Sequence, residues 1–238
     1  MNYMILLAGG IGSRVGAEVP KQFIEVLGKP VIAYTLQRFQ DHPQIDGICL
    51  VCVKGFEGNL RRICEENGIT KVVKVVEGGE DYQHSVMNGI RGMEGIAAED
   101  DVVMIHWAAS PFVSEEIISD NIRVCREKGN AMSCCPAYLL YGTNDGDCSK
   151  QVVDRDTFRT LSAPQSFLFA NAKRIYREGL EKGIIDRIEP HTTTLMAELG
   201  EPIYFSYGDQ SNIKITTKED VDMFLGYELA RRWRAEHN

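Results

Sequence analysis

Leu6-Leu7-Ala8-Gly9-Gly10-Ile11-Gly12-Ser13-Arg14-Val15-Gly16, closed a few residues later by Pro20-Lys21-Gln22-Phe23, is the stretch whose reading decides the fold. The apolar run Tyr3 to Ala8 predicts a buried strand. It ends in four glycines within eight positions, the composition of a loop that lets backbone approach a ligand closely. Close backbone approach suits a phosphate. The same segment carries Arg14 and Lys21, a planar fork and a point charge for phosphoryl oxygens. A glycine-rich turn between strand and helix would explain the glycines alone; the two cations in addition point to a triphosphate.

Two common phosphate loops are excluded. A G-x-G-x-x-G dinucleotide fingerprint needs its third glycine where Val15 stands. A Walker loop needs Gly-Lys-Ser/Thr, and Gly28-Lys29 is followed by Pro30, outside the loop. With 238 residues, 44% of them hydrophobic and 25% charged, the chain suits one α/β domain with a sizeable core. A net charge of -8 argues against a sequence-independent nucleic-acid binder while leaving room for a local basic pocket. No apolar run approaches the roughly 20 residues of a membrane span, and the chain enters its first strand without a signal peptide. A cytoplasmic protein with neither nucleic acid nor membrane as partner is expected. Of the seven cysteines, Cys49 and Cys52 have C-x-x-C spacing but lie inside a β-like run, which reads as buried reduced thiols and no metal site.

Beyond the loop, Lys29 to Asp41 has helical periodicity, Gly47 to Val53 reads as a strand, Asn59 to Asn67 as a helix and Val72 to Val76 as a strand. Asp101 to His106 and Ala131 to Tyr141 read as further strands around a helix from Ser114 to Lys128. Pro202 to Tyr207 reads as a strand, and Thr217 caps a last helix. Strands alternating with helices predict a doubly wound parallel sheet with its ligand beyond the carboxyl ends of the strands. The turn Asn144-Asp145-Gly146-Asp147 before Gln151 to Asp154 suggests a hairpin arm, at about residues 136–163 of a single domain.

The blocks Leu-Ala-Gly-Gly-x-Gly-Ser-Arg-x-Gly and Pro-Lys-Gln-Phe resemble the cytidylyltransferases that activate methylerythritol 4-phosphate and ribitol 5-phosphate with CTP. The resemblance continues in order through Gly78-Gly79 to Ser85-Val86, Val103 to Pro111, Val153-Asp154-Arg155, Ala163-Pro164-Gln165 and Asn212 to Thr216, and so covers nearly the whole chain. It implies a Rossmann-like, mostly parallel sheet of the nucleotide-diphospho-sugar transferase type, with a β-arm that joins a homodimer. It also implies that Leu7, Ala8, Gly9, Gly10, Gly12, Gly79 and Ser85 hold the nucleotide, and that Arg14, Lys21 and Lys214 neutralise its phosphates. Arg155 would bind the acceptor phosphate from a partner subunit. Read without the resemblance, Ser85 is equally a helix N-cap, and Arg155 a solvated side chain of an exposed arm.

The chain departs from the resembled pattern on one side. Those enzymes read His-Asp-Ala-Ala-Arg-Pro, or close to it, where this chain has His106-Trp107-Ala108-Ala109-Ser110-Pro111, and their Asp ligates the Mg²⁺ that bridges the CTP phosphates. An indole cannot replace that carboxylate. The family's Arg after Gly-Gly becomes Tyr82, its Pro-x-x-Asp-Thr becomes Pro136-Ala137-Tyr138-Leu139-Leu140, and its Thr-Asp aligns with Pro190-His191 or near neighbours. Mg²⁺ would then arrive bound to CTP, with Asp209 or Asn212 as candidate ligands. The implied chemistry is attack of a polyol-phosphate oxygen on the α-phosphorus of CTP, with pyrophosphate leaving and no nucleophilic residue required. A nucleotide-binding homologue without catalysis is the second reading left open by these replacements.

Overall fold

The computed structural model describes residues 1–10 and 20–237. The seven-residue strand β1 (Asn2–Ala8) is buried along its whole length. Side chains alternate across a strand, so Met4, Leu6 and Ala8 enter one apolar layer while Tyr3, Ile5 and Leu7 enter the other. A hydrophobic run with no polar face can be satisfied only by cover on both sides.

That cover comes from helices on each face. A two-residue hairpin, β2 (Glu25–Val26) with β3 (Lys29–Pro30), precedes α1 (Val31–Asp41). The expected helix from Lys29 therefore starts two residues later. Leu27 and Gly28 turn the hairpin with φ of 52° and 76°, and Pro30 then leads the chain into α1. The chain continues through β4 (Gly47–Cys52), α2 (Glu57–Glu66), β5 (Val72–Glu77), α3 (Tyr82–Gly92), β6 (Val102–Trp107), α4 (Glu115–Lys128) and β7 (Asn130–Pro136). After β7 come β8 (Arg159–Leu168), α5 (Phe169–Glu181), α6 (Thr192–Glu198), β9 (Phe205–Tyr207) and α7 (Lys218–His237). Helices α1, α2 and α4 cover the layer of Met4 and Leu6, whereas α3, α5 and α6 cover that of Ile5 and Leu7. Fully burying one such side chain contributes about 1.5–3 kcal/mol, so both layers are substantial.

The seven strands of the sheet lie in the order β5-β4-β1-β6-β8-β7-β9. All run parallel except β8, which is antiparallel to both β6 and β7. Successive parallel strands move outward from β1 in both directions, which opens a crevice beyond the carboxyl ends of β1 and β6.

Strand β8 is absent from the sequence reading, and it carries in its middle Pro164, a residue that cannot donate to a ladder. The register explains how it is tolerated. Pairing with β7 jumps from Met132↔Gln165 to Ser133↔Ser162, so Ala163 and Pro164 sit in a bulge where no ladder donor is required. The buried Asn121 of α4 donates to the Pro164 carbonyl at 3.1 Å and to Ser206 Oγ at 2.7 Å, tying β8 to β9 through one carboxamide.

The expected strand Ala131 to Tyr141 stops at Pro136. Residues 137–158 leave the sheet as an arm with one β-bridge, Gly142 to Val152, and hydrogen bonds from Thr143 N to Gln151 O and Val153 N to Tyr141 O. The turn at Asn144 to Asp147 is present, with Gly146 in the left-handed region and Asp145 N donating to the Cys148 carbonyl. Leu139 and Leu140 on this arm are 70% and 74% exposed. All seven cysteines are free thiols, and burial pushes Cys49 and Cys52 up to about 12, in keeping with inert reduced side chains. Among the described residues, no helix is long and apolar enough to cross a membrane.

His106 on β6 is fully buried against Phe39 and donates from Nε2 to the Ser110 carbonyl at 2.9 Å. Burial pulls its pKa down to about 4, so the folded state holds it neutral. The unfolded chain takes up this proton below the ordinary value near 6.5, so stability is complete above that pH and falls as pH drops toward 4. The loss from this residue is on the order of 3 kcal/mol. Urea denaturation at pH 7 and pH 4.5 should show it, and His106→Leu should be less stable at pH 7 yet lose distinctly less on acidification.

Candidate functional site

The crevice holds a cavity of about 310 Å³ lined by Leu7, Gly9 and Gly10 from the end of β1, Lys21 and Gln22, Gly79 to Tyr82 with Ser85, Trp107 and Ala109, and Lys214 with Thr216. Each group arrives by a traceable route. Beyond β1, the carboxamide of Gln22 donates from Nε2 to the carbonyls of Ala8 at 2.8 Å and Gly10 at 2.9 Å. It is 2% exposed. This double bond to the ends of the Ala8–Gly10 turn fixes the turn and holds Lys21 beside it. Phe23 anchors the same segment by stacking on Phe56, with ring centroids 5.2 Å apart.

A second wall follows β5. Asp81 caps α3 by accepting from His84 N at 2.8 Å, and its carboxylate also meets His84 Nδ1 at 2.9 Å. These bonds hold the Asp81 carboxyl below its ordinary range despite the cost of burial. Asp81, rather than Ser85, is therefore the cap. Ser85 lies within the first turn and accepts the Gly79 N–H at 3.0 Å, which folds the Gly78-Gly79 turn against the helix. No side chain fits there: a Cβ on Gly79 would stand 2.3 Å from His84 Cβ and 2.6 Å from the His84 carbonyl carbon.

The third wall comes from β6 and the Lys214 segment. Ala108 N donates to Leu7 O, Ser110 N to Trp107 O, and Thr35 Oγ1 to Ala108 O, so the turn after β6 is pinned from three directions. Ile215 N donates to the Ala109 carbonyl at 2.8 Å and brings Lys214 alongside. Trp107 faces the cavity. The Lys214 ammonium lies over its indole, 4.4 Å from the ring centroid. His191 packs edge-on against Trp107 and tilted against Tyr82, with centroids 6.2 and 5.3 Å away.

Behind this aromatic wall runs a buried polar network. The Tyr82 hydroxyl contacts Thr192 Oγ1 and accepts from Gln165 Nε2, while Tyr176 OH meets Thr192 Oγ1 at 2.7 Å and donates to Gln83 Oε1 at 2.9 Å. Gln83 Nε2 in turn donates to the His191 carbonyl. Burial pushes Tyr82 up to about 12, so it stays a phenol. Burial and then the Lys214 charge push His191 below its ordinary value, which keeps the imidazole neutral near pH 7. The sequence reading named Tyr82 and His191 as replacements without placing them together, and it missed Gln22 as the clamp.

The structure thus brings Leu7, Gly9, Gly10, Lys21, Gly79, Ser85 and Lys214 to one cavity, with Ala8 buried just beneath. Gly12 and Arg14 lie outside the described residues. Arg155 sits on the arm, exposed, donating to the Tyr138 carbonyl at 3.2 Å, and does not line the cavity of its own chain.

Among the described residues, the donor set forms no preformed site for a divalent cation, and Glu80 and Asp81 are the carboxylates that line the cavity. Trp107 offers only an N–H donor and a π face, and the Asp81 carboxylate is committed to His84. Asp209 accepts the N–H groups of Ser211 and Asn212, and the Asn212 amide is buried, donating to Ala163 O at 2.6 Å. Neither residue lines the cavity. Among the described residues, no group of three or more His, Cys, Asp or Glu could hold a metal ion.

A parallel sheet with one reversed strand, and a glycine turn and two lysines at its switch point, define a nucleotide-binding α/β protein. The 2-C-methyl-D-erythritol 4-phosphate cytidylyltransferase family matches residues 3–225, and the chain belongs to that family. It is 37% identical over 224 residues to a ribitol-5-phosphate cytidylyltransferase of Lacticaseibacillus paracasei, covering 94% of this chain and 96% of the relative. It is likewise 37% identical over 219 residues to a 2-C-methyl-D-erythritol 4-phosphate cytidylyltransferase of Clostridium perfringens, covering 91% and 94%. The fold is shared with a 4-diphosphocytidyl-2C-methyl-D-erythritol synthase of Anaerococcus prevotii at a TM-score of 0.79 and 24% identity, over 96% of this chain and 98% of that one.

The crowding at Gly79 leads to a sharp expectation. Gly79→Ala must move the start of α3 and break the bond to Ser85, and should weaken CTP binding at least about tenfold. Ser85→Ala leaves the same N–H without its acceptor and should weaken binding about threefold or more. Calorimetric titration of both variants checks the order.

Proposed function

We propose that the chain transfers the cytidylyl group of CTP to the phosphate of a polyol phosphate, releasing pyrophosphate. The observation that carries this reading is the placement of Lys21 and Lys214 on one cavity with the backbone of Gly9, Gly10 and Gly79. Phosphoryl chemistry of this kind asks for positioning and for positive charge around the oxygens, and little else from the protein. An oxygen of the acceptor phosphate attacks the α-phosphorus of CTP. The new O–P bond forms as the bond to the bridging oxygen of pyrophosphate breaks, and pyrophosphate departs with the electron pair. Lys21, beside the glycine turn, neutralises the leaving β- and γ-phosphates together with Arg14. Lys214, across the cavity, neutralises the α-phosphate and the incoming acceptor.

The reading of the acceptor stays at its class, because relatives named for ribitol 5-phosphate and for methylerythritol 4-phosphate stand at equal identity. The arm supports a homodimer in which Arg155 reaches the acceptor pocket of the partner subunit. It carries Arg155 on the same excursion as the exposed Leu139, Leu140 and Val152, an apolar surface suited to burial between copies. A CTP-consuming biosynthetic step fits the cytoplasm.

Pyrophosphate release with CTP and either ribitol 5-phosphate or methylerythritol 4-phosphate, with ATP and UTP as controls, tests the activity. CTP-selective release is expected with one acceptor, and none with either would overturn the proposal. Lys21→Met and Lys214→Met should each raise the Kd for CTP about tenfold or more, since each removes a charge-assisted bond to a phosphate.

A further inference from the structure

The end of β6 presents an indole where the cavity meets its cation, and the contact is built from both sides. Trp107 is held by the β1–β6 register, in which it pairs with Leu7, and by the turn that returns Ser110 N to its carbonyl. Lys214 is held by the bond of the next residue, Ile215, to Ala109, two residues beyond Trp107. The two partners are therefore tied by backbone through a hydrogen bond one residue from Lys214 and two residues from Trp107. Their 4.4 Å separation lies well inside the range of a cation–π contact, for which indole is the strongest of the aromatic faces. His191, neutral and near-perpendicular to the ring, also packs against Trp107.

A lysine side chain is flexible, and confining its ammonium costs rotamer entropy that a single phosphate contact must offset. An aromatic platform confines it before the ligand arrives. The same platform removes a carboxylate-type ligand from the spot, since an indole donates one N–H and accepts no metal. The other carboxylates that line the cavity, Glu80 and the capping Asp81, stand at the start of α3 and not at the end of β6, and among the described residues no group of three or more ligating side chains forms a metal site.

We propose that Trp107 is a positioning residue of the nucleotide site: its indole face holds the Lys214 ammonium toward the cavity, and the triphosphate is met by this fixed cation instead of a divalent ion ligated from β6. The proposal rests on the reading of the cavity as a CTP site. It gives the site a nucleotide affinity that depends little on Mg²⁺ and strongly on the aromatic character of residue 107.

Calorimetric titration of CTP into the full chain, with Mg²⁺ and with a chelator, is the test. The two Kd values should agree within about threefold. Trp107→Leu keeps an apolar side chain without a π face and should weaken CTP binding about fivefold, while Trp107→Phe should stay within about twofold of the parent. Trp107→Asp should acquire Mg²⁺-dependent binding. A second measurement holds even where Trp107→Leu does not fold. The chain has two tryptophans, so Trp233→Phe leaves Trp107 as the sole indole emitter, and its emission should change on adding CTP. Lys214→Met in that background should abolish the change. Parent-like binding by Trp107→Leu, or CTP binding by the parent only with Mg²⁺, overturns the proposal and leaves the nucleotide reading intact. No CTP binding by the parent under either condition overturns both.

Discussion

A strand buried on both faces has no polar side from which to meet a ligand. Strand β1 is such a strand, with helices packed against each set of alternating side chains, so its backbone reaches solvent only where the ladder ends. Everything functional follows from that constraint. The glycine turn leaves from the last residue of β1, the turns after β5 and β6 open at the same edge of the sheet, and the Lys214 segment is stitched onto it by the Ile215–Ala109 bond. The cavity is the meeting place of loops whose anchors are in the core, and glycines and short side chains share its lining with longer ones.

Much of this was legible in the sequence, for physical reasons that differ by element. The run from Tyr3 to Ala8 could hardly be other than a buried strand, and the glycines and Lys21 carried their chemistry in their residue types, whereas Lys214 was marked only by the resemblance. Ser114 announced α4 and does cap it, accepting from Ile117 N at 3.2 Å. Where the reading failed, a tertiary effect overrode a local one. Strand β8 went unread, and the bulge that excuses its Pro164 is a property of two strands together. Ser85 looked like a cap, but Asp81 four residues earlier took that place and freed the hydroxyl for Gly79. Gln22 showed no signal beyond its motif, since the carbonyls that it binds come from fourteen and twelve residues earlier.

The cavity lining is of two chemical kinds. Around Gly9, Gly79 and Ser85 the contacts are amides and a hydroxyl. Two aromatic rings, Tyr82 and Trp107, also line the cavity, and His191 packs against both; the Tyr82 hydroxyl is turned to a buried network and His191 is held uncharged. An aromatic wall next to a fixed ammonium is a low-dielectric boundary, and a charge placed beside it acts with less screening than one in open water. His191 touches both Tyr82 and Trp107, so the three rings form one packed group.

The reversed strand β8 has a consequence for how such a protein can change. Because β7 ends, and β8 begins, at the edge of the sheet where the cavity opens, residues 137–158 depart and return at neighbouring points without crossing the core. Their length and composition can drift while every ladder pairing and both apolar layers stay in register. The loops that line the cavity, by contrast, leave directly from β1, β5 and β6 and cannot move without the core. The fold therefore lets this excursion vary in length and composition independently of the loops that line the cavity.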